Sequence, residues 1–285
     1  MDASRSALPQ TPKSNDQPRA GHHGSPFTRK DYTMISSSLI NPFFAKRRSR
    51  PAPALRTFRR SLFVKLPRAP LNGSPVPHLT SLYHNSDAGD YGNRSYPGNC
   101  GGNLIRDLLL YFKPRMVLDP MTGSGTCQDV CRELRTPFRS GDIHQGFDAT
   151  SVEAMRALAG SDVVDFVWAH PPYWRQKLYA SDHRDLSRTA TLDEFLVRYS
   201  AFINAAASVL SKGGRLAILM GDYNDREAGF VPLVYHTKRL AFEAGLRQSC
   251  TDIIRFSHGA SSSRKVYRSA FIPGLHDVCM IFERA

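Results

Sequence analysis

The chain has 285 residues, 41% of them hydrophobic and 22% charged, with a formal net charge of +13. That length accommodates one α/β domain with extra segments or two small domains, and no run approaches the ~18 apolar residues of a membrane span. The charge is not evenly spread: residues 1–80 hold 14 Lys and Arg against 3 Asp and Glu, a net of +11, while the remainder is nearly balanced at 24 against 22.

Residues 1–78 contain 11 of the 19 prolines, together with Ser and Arg and few periodic apolar runs. Such a composition cannot bury a core and predicts a disordered basic extension. A basic arm of this kind suits a polyanion, most simply nucleic acid. Its low acid content also fits a transit peptide, but it lacks a clear amphipathic helix, and no early apolar stretch marks a secretory signal. The five cysteines are scattered without a second Cys or His pair at zinc spacing. They read as free thiols of a reducing compartment, the cytoplasm.

From about residue 79 the pattern becomes that of a folded domain. "NLIRDLLLYF" sets Leu104, Ile105, Leu108, Leu109 and Phe112 on one helical stripe. "RMVLDP" reads as a short buried strand and "TCQDVCREL" as a helix ending near Pro137. "FRSGDI" is a second strand. "VVDFVWAH" is a third, apolar enough to be buried on both faces. Thr191 and Glu194 form a capping box for a helix with Phe195, Tyr199, Phe202, Ile203, Ala206 and Leu210 inward, closed by Gly213. "RLAILMGDY" is another strand, "PLVYHTKRLAFEAGL" another helix, and "QSCTDIIRFS" and "HDVCMIFER" a final strand pair. Alternating strands and helices predict a doubly wound, mostly parallel sheet, with ligands bound beyond the carboxyl ends of the strands.

Two strand ends carry the chemistry. The first strand runs into "DPMTGSGT", Asp119 to Thr126, and then into a helix. Gly123 and Gly125 allow a tight turn and close approach of a ligand, and the free N–H groups of the helix start favour negative or polar ligand groups. No Lys follows the last glycine and there is no third glycine, so this is neither a P-loop nor a dinucleotide fingerprint. The second strand ends at Asp142, 23 residues after Asp119; an acid there can bond a ribose diol. Asp119, Pro120, Thr122, Gly123, Ser124, Gly125, Thr126 and Asp142 are therefore the candidate residues for an adenosine-type cofactor.

The third strand ends in "HPPYW", His170 to Trp174. Pro171 and Pro172 fix φ and remove two N–H donors, leaving the carbonyls of His170 and Pro171 free to accept from a ligand. Tyr173 and Trp174 offer flat faces. Acceptors beside an aromatic face suit a planar base with an exocyclic NH₂. "RQKLYASDHRDLSRT", residues 175–189, is expected to be a flap with Arg175 and Lys177 near the substrate. "SHGASSSRKVYRS", with Arg264 and Lys265, suits phosphate contacts. Asp222 stands at a further strand end, as a cleft residue or a helix cap.

"VLDPMTGSGT" followed by "DFVWAHPPYW" resembles the S-adenosylmethionine-dependent DNA amino-methyltransferases, which modify N6 of adenine or N4 of cytosine. The resemblance runs over residues 79–285. "YPGNCGGNLIRDLLLYF" is similar to the segment that packs around the methionine part of the cofactor, and "LSKGGRLAILMGDY" and "HDVCMIF" fit the later strands. It implies a Rossmann-like class I methyltransferase fold with a seven-stranded sheet and an antiparallel last strand. It further implies S-adenosyl-L-methionine as cofactor and double-stranded DNA as partner, with the target base flipped into a pocket of His170, Pro171, Pro172 and Tyr173. No membrane partner is implied, and the oligomeric state is left open.

The departure is His170, where the family has Asp, Asn or Ser. Imidazole accepts a hydrogen bond only when neutral, through one nitrogen, and its ordinary pKa near 6.5 keeps that form in the majority at neutral pH. Three roles stay open: acceptor from the substrate amine, structural support for the Pro171 carbonyl, or loss of activity. An RNA guanine-N2 or protein glutamine methyltransferase, or a cofactor-binding DNA-binding protein without activity, are the alternatives. Adenine and cytosine are not distinguished.

Overall fold

A computed structural model of the chain describes residues 70–84, 89–256, 272 and 274–285, all within the compact unit Leu66–Ala285. Residues 1–69, the greater part of the basic extension, lie outside the described residues, as do Arg264 and Lys265. Residues 70–78, assigned by composition to the extension, belong to the folded unit: Val76 is buried, and His78 Nε2 lies 2.7 Å from the buried Asp107 carboxylate.

The elements in chain order are β1 (Leu82–His84), α1 (Asn103–Phe112), β2 (Val117–Asp119), α2 (Thr126–Leu134), β3 (Phe138–Ser140), α3 (Val152–Ala159) and β4 (Val164–Ala169). They continue with α4 (Leu192–Val209), β5 (Leu210–Met220), β6 (Tyr223–Asp225), β7 (Gly229–Val231), α5 (Leu233–Glu243), β8 (Leu246–Gln248), β9 (Ile253–Phe256) and β10 (His276–Arg284). The main sheet has the order β1-β9-β10-β5-β4-β2-β3, with β8 also paired to β10. β2, β3, β4 and β5 are mutually parallel, and β10 runs antiparallel to β5, β8 and β9. This is the Rossmann-like, doubly wound and mostly parallel α/β architecture, with the antiparallel last strand, that the sequence implies. Among the described residues the sheet has eight strands rather than seven, and β6 and β7 form a separate two-stranded ribbon.

The central strands are apolar throughout because both faces are covered. In β5, Leu216, Ile218 and Met220 pack with α4 and α5, while Ala217 and Leu219 pack with α1 and α2; β10 alternates likewise, with Met280 and Phe282 on the first side and Cys279 and Ile281 on the second. The α1 stripe is buried as its spacing predicts, with Leu104, Ile105, Leu108 and Leu109 all at 2% exposure or less.

Two elements differ from the sequence reading. α4 stops at Val209 rather than at Gly213, because Leu210 is already extended (φ −68°, ψ 139°) and pairs with Val164. Gly213, at φ +74°, falls within β5, where the ladder with β4 is irregular. α3, absent from the sequence reading, is a regular helix with Ser151 as N-cap: its hydroxyl accepts from Ala154 N at 3.1 Å. The helix is only eight residues long and buries only Met155 and Ala159, too short a core-facing stripe to show a period.

Candidate active site

The strand order reverses at β2 and β4, and the loops leaving their carboxyl ends open onto one cavity of about 850 Å³, its mouth included. Asp119, Pro120, Thr122, Gly123, Ser124, Thr126 and Asp142 line it, as do His170 and Pro172. The glycine loop and the "HPP" strand end, 44 residues apart between Thr126 and His170, therefore face the same space. Gly125 does not line the cavity; at φ +81° it supplies the left-handed turn that starts α2.

The loop is held by its own polar groups. Asp142 Oδ2 accepts from Gly123 N at 2.7 Å, and Oδ1 accepts from His144 N at 2.9 Å. Thr122 Oγ1 donates to Gly141 O at 3.0 Å. Asp142 thus fixes the loop's geometry with one lone pair of each oxygen, and a carboxylate has others to offer a ligand. Residues 91–100 fold over the loop: Asn93 N donates to Ser124 O at 2.7 Å and Gly92 N to Asp129 Oδ2 at 2.8 Å. Gly92 is required there, because a Cβ would come within 2.6 Å of Thr126 Oγ1.

The cavity is acidic. Asp119, Asp142, Asp148 and Asp185 face it against a single guanidinium, Arg184, which is itself clamped by Asp182. Asp119 is 2% exposed, and burial pushes its carboxyl up to about 7 even though Oδ1 accepts from Met121 N. Burial also holds the Cys100 thiol up at about 11, so it lines the wall as a neutral group.

Tyr96, which opens the segment likened to the methionine site, stacks with Tyr179 at 6.1 Å between ring centres, and the two form one wall. Tyr179 and Asp185 carry no signal in the motifs. Asp185, 4% exposed, ties the 175–189 segment, accepting from Ala180 N at 2.7 Å and from Ser187 N at 2.8 Å. The signal that would have found it is the Asp-x-Ser turn in "DLS". That segment is not the expected flap: Ala180, Leu186, Ser187 and Thr189 are buried, and Leu186 belongs to the core.

The "HPPYWRQ" segment divides its side chains. His170 Nε2 lies 3.3 Å from the Tyr173 hydroxyl, the two rings meeting edge-on at 5.6 Å. Tyr173 does not line the cavity beside His170; it is half-buried, its ring lies against the Cα of Gly221, and burial holds its phenol well above the ordinary range. Pro171 is buried.

Two expected substrate contacts are corrected. Trp174 is 2% exposed, packs in the core, and donates from Nε1 to Thr189 O at 3.2 Å, so no face is open to a substrate. Its φ of +45° is what turns the ring inward. Arg175 is committed to two carboxylates: Nε and Nη2 bond Asp225 at 3.0 and 2.7 Å, and Nη2 bonds Glu227 at 2.7 Å. Lys177 is exposed. Asp222 is the expected helix cap, accepting from Val234 N in the first turn of α5 at 2.8 Å, and it also lines a second groove.

Behind Tyr173, Arg255 and Asp277 form a buried cross-strand ion pair between β9 and β10, with contacts of 2.8 and 2.5 Å. Arg255 also donates to the carbonyl of Cys100, on the cavity wall.

Neither a family model nor a curated protein matches the chain. Among solved structures, it is similar to the candidate DNA modification methylase TTHA0409 of Thermus thermophilus in complex with S-adenosyl-L-methionine. The identity is 20% and the TM-score 0.34, over 48% of this chain and 53% of that one. A SAM-dependent methyltransferase of Archaeoglobus fulgidus matches at 14% identity and TM-score 0.39, over 64% of this chain and 93% of that one. TrmN of Thermus thermophilus matches at 19% and 0.31, over 60% and 44%. The chain spans about half the length of the TTHA0409 protein.

Proposed function

We propose that the chain transfers a methyl group from S-adenosyl-L-methionine to an exocyclic amino group of a base in double-stranded DNA, N6 of adenine or N4 of cytosine. One observation carries the reading: the glycine loop and the "HPP" strand end open onto one acidic cavity.

That cavity fits the cofactor's chemistry. Four carboxylates suit a ligand bearing a sulfonium and an ammonium; the glycine loop admits a nucleoside, and Asp142 retains acceptor capacity for a ribose. Asp119, Pro120, Thr122, Gly123, Ser124, Thr126 and Asp142 would hold it, with Gly125 shaping the turn behind them. When bound, it supplies an electrophilic methyl carbon, so the chain's task is positioning and exclusion of water.

The acceptor amine is oriented by His170 and by the Pro171 carbonyl, so that its lone pair faces the methyl donor. No strong base is needed, because the amine proton can leave after the methyl arrives. The Tyr173 hydroxyl, kept protonated by burial, lies 3.3 Å from His170 Nε2 and helps hold the imidazole in place.

The basic N-terminal part contacts the DNA backbone, and Arg264, Lys265 and Lys177 add further phosphate contacts. The test offers labelled S-adenosylmethionine with duplex DNA, RNA and protein to the full chain. Label on DNA is the expected outcome. Label on RNA or protein alone, or bound cofactor with no transfer, overturns it.

A further inference from the structure

The carboxylates of the cofactor cavity attract a cation without choosing among cations. A sulfonium is an unusual one: its charged centre has no N–H or O–H to donate to a carboxylate. The surface that matches such an onium ion is an aromatic face, whose quadrupole attracts positive charge without hydrogen bonds. The cavity has such a surface in Tyr96 and Tyr179, which come from separate segments and meet as one wall.

Both rings are half-buried and held in place. Tyr96 rests on the glycine loop: a Cβ on Gly123 would come within 3.1 Å of its Cε1. Tyr179 is fixed at both ends. Its backbone N donates to Asp185 Oδ2 at 3.3 Å and to Ser187 Oγ at 3.2 Å. Its hydroxyl lies against Gly98, where a Cβ would come within 2.8 Å. The wall is also neutral and unclaimed. Burial, then the Asp142 carboxylate, push the Tyr96 phenol up to about 12, and burial, then Asp185, raise that of Tyr179. Among the described residues the cation–aromatic contacts are Arg132 over Phe138, Arg175 over Trp174 and Arg215 over Phe112, and none involves either tyrosine. Arg184, the guanidinium of the cavity, is held by Asp182 and by the Gly146 carbonyl.

We infer that the Tyr96–Tyr179 wall recognises the positive charge of the cofactor's sulfonium, so that the site prefers S-adenosylmethionine to S-adenosylhomocysteine, which lacks that charge. This rests on the reading of the ligand as S-adenosylmethionine and is independent of which acceptor is methylated. Such a preference favours loading of the methyl donor and release of the spent product.

The test measures the affinities of both ligands by calorimetry, with no acceptor present. It compares the full chain as wild type, Tyr179→Leu, Tyr96→Leu and Tyr179→Phe. S-adenosylhomocysteine differs only by the methyl group and its charge, so it reports whether the site is intact. Loss of one aromatic face predicts about fivefold weaker S-adenosylmethionine binding in each Leu variant, with S-adenosylhomocysteine within about twofold. Tyr179→Phe keeps the ring and is expected to keep the wild-type ratio of the two affinities. Either Leu variant decides the matter should the other fail to fold. Equal weakening of both ligands, an unchanged ratio in the Leu variants, or the same loss in Tyr179→Phe as in Tyr179→Leu overturns the inference and leaves the cofactor and DNA readings standing. A folded wild type that binds neither ligand overturns the cofactor reading and this inference with it.

Discussion

His170 and Asp119 face one cavity, and each makes its own prediction. His170→Ala removes the side chain proposed to orient the amine without touching the glycine loop. Methyl transfer is expected to fall below detection while cofactor affinity, measured by calorimetry, stays within about twofold; transfer at the wild-type rate would leave the Pro171 carbonyl as the orienting acceptor. Asp119 predicts a pH dependence. Its carboxyl is raised by burial to about 7 from an ordinary 3.8, so between those values the folded chain holds a proton that the unfolded chain has lost. Unliganded stability therefore falls as pH rises through that window and then levels. A cationic ligand favours the ionised carboxylate, so cofactor affinity rises with pH up to about 7 and is flat above. Asp119→Asn should bind more weakly and without that dependence; an identical pH profile would remove Asp119 from the cofactor site. Most of these residues are legible in the sequence because strand-end motifs place them. Trp174 and Arg175 are not: their types suit a substrate, but a left-handed φ at Trp174 and the acids of a ribbon 50 residues downstream turn both to structural work.

At the scale of elements, the long periodic helices and apolar strands are readable because burial on one stripe or on both faces dictates their pattern. β1, the β6–β7 ribbon and α3 are short or weakly apolar, and tertiary pairing rather than local pattern makes them. The Arg255–Asp277 pair is a feature no local pattern reveals, since its members come from two strands paired in register. Both are almost fully buried, and Arg255 also holds the carbonyl of Cys100 on the cavity wall. Arg255→Met removes the buried guanidinium that pairs with the Asp277 carboxylate and is expected to cost about 3–5 kcal/mol in urea unfolding. The double variant Arg255→Met with Asp277→Leu should recover much of that loss. A single variant as stable as wild type would show that the pair carries little of the β9–β10 junction.

The whole molecule divides by charge, with a net of +11 over residues 1–80 and near balance thereafter. If the basic part supplies phosphate contacts, DNA affinity of the full chain falls steeply with salt, by a log–log slope of about 0.9 per phosphate neutralised. A chain starting at Leu66 should keep its cofactor affinity and show a shallower slope; equal slopes would assign the DNA contacts to the folded unit alone. The acidic cavity fits that division, since its carboxylates suit a cationic cofactor rather than phosphates. The most direct test of the account is the identity of the methylated nucleoside. Duplex DNA incubated with the full chain and S-adenosylmethionine would be digested to nucleosides and analysed by mass spectrometry against standards. N6-methyladenine or N4-methylcytosine as the sole new base is the predicted result; C5-methylcytosine, or DNA left unmodified while the cofactor is bound, would contradict it.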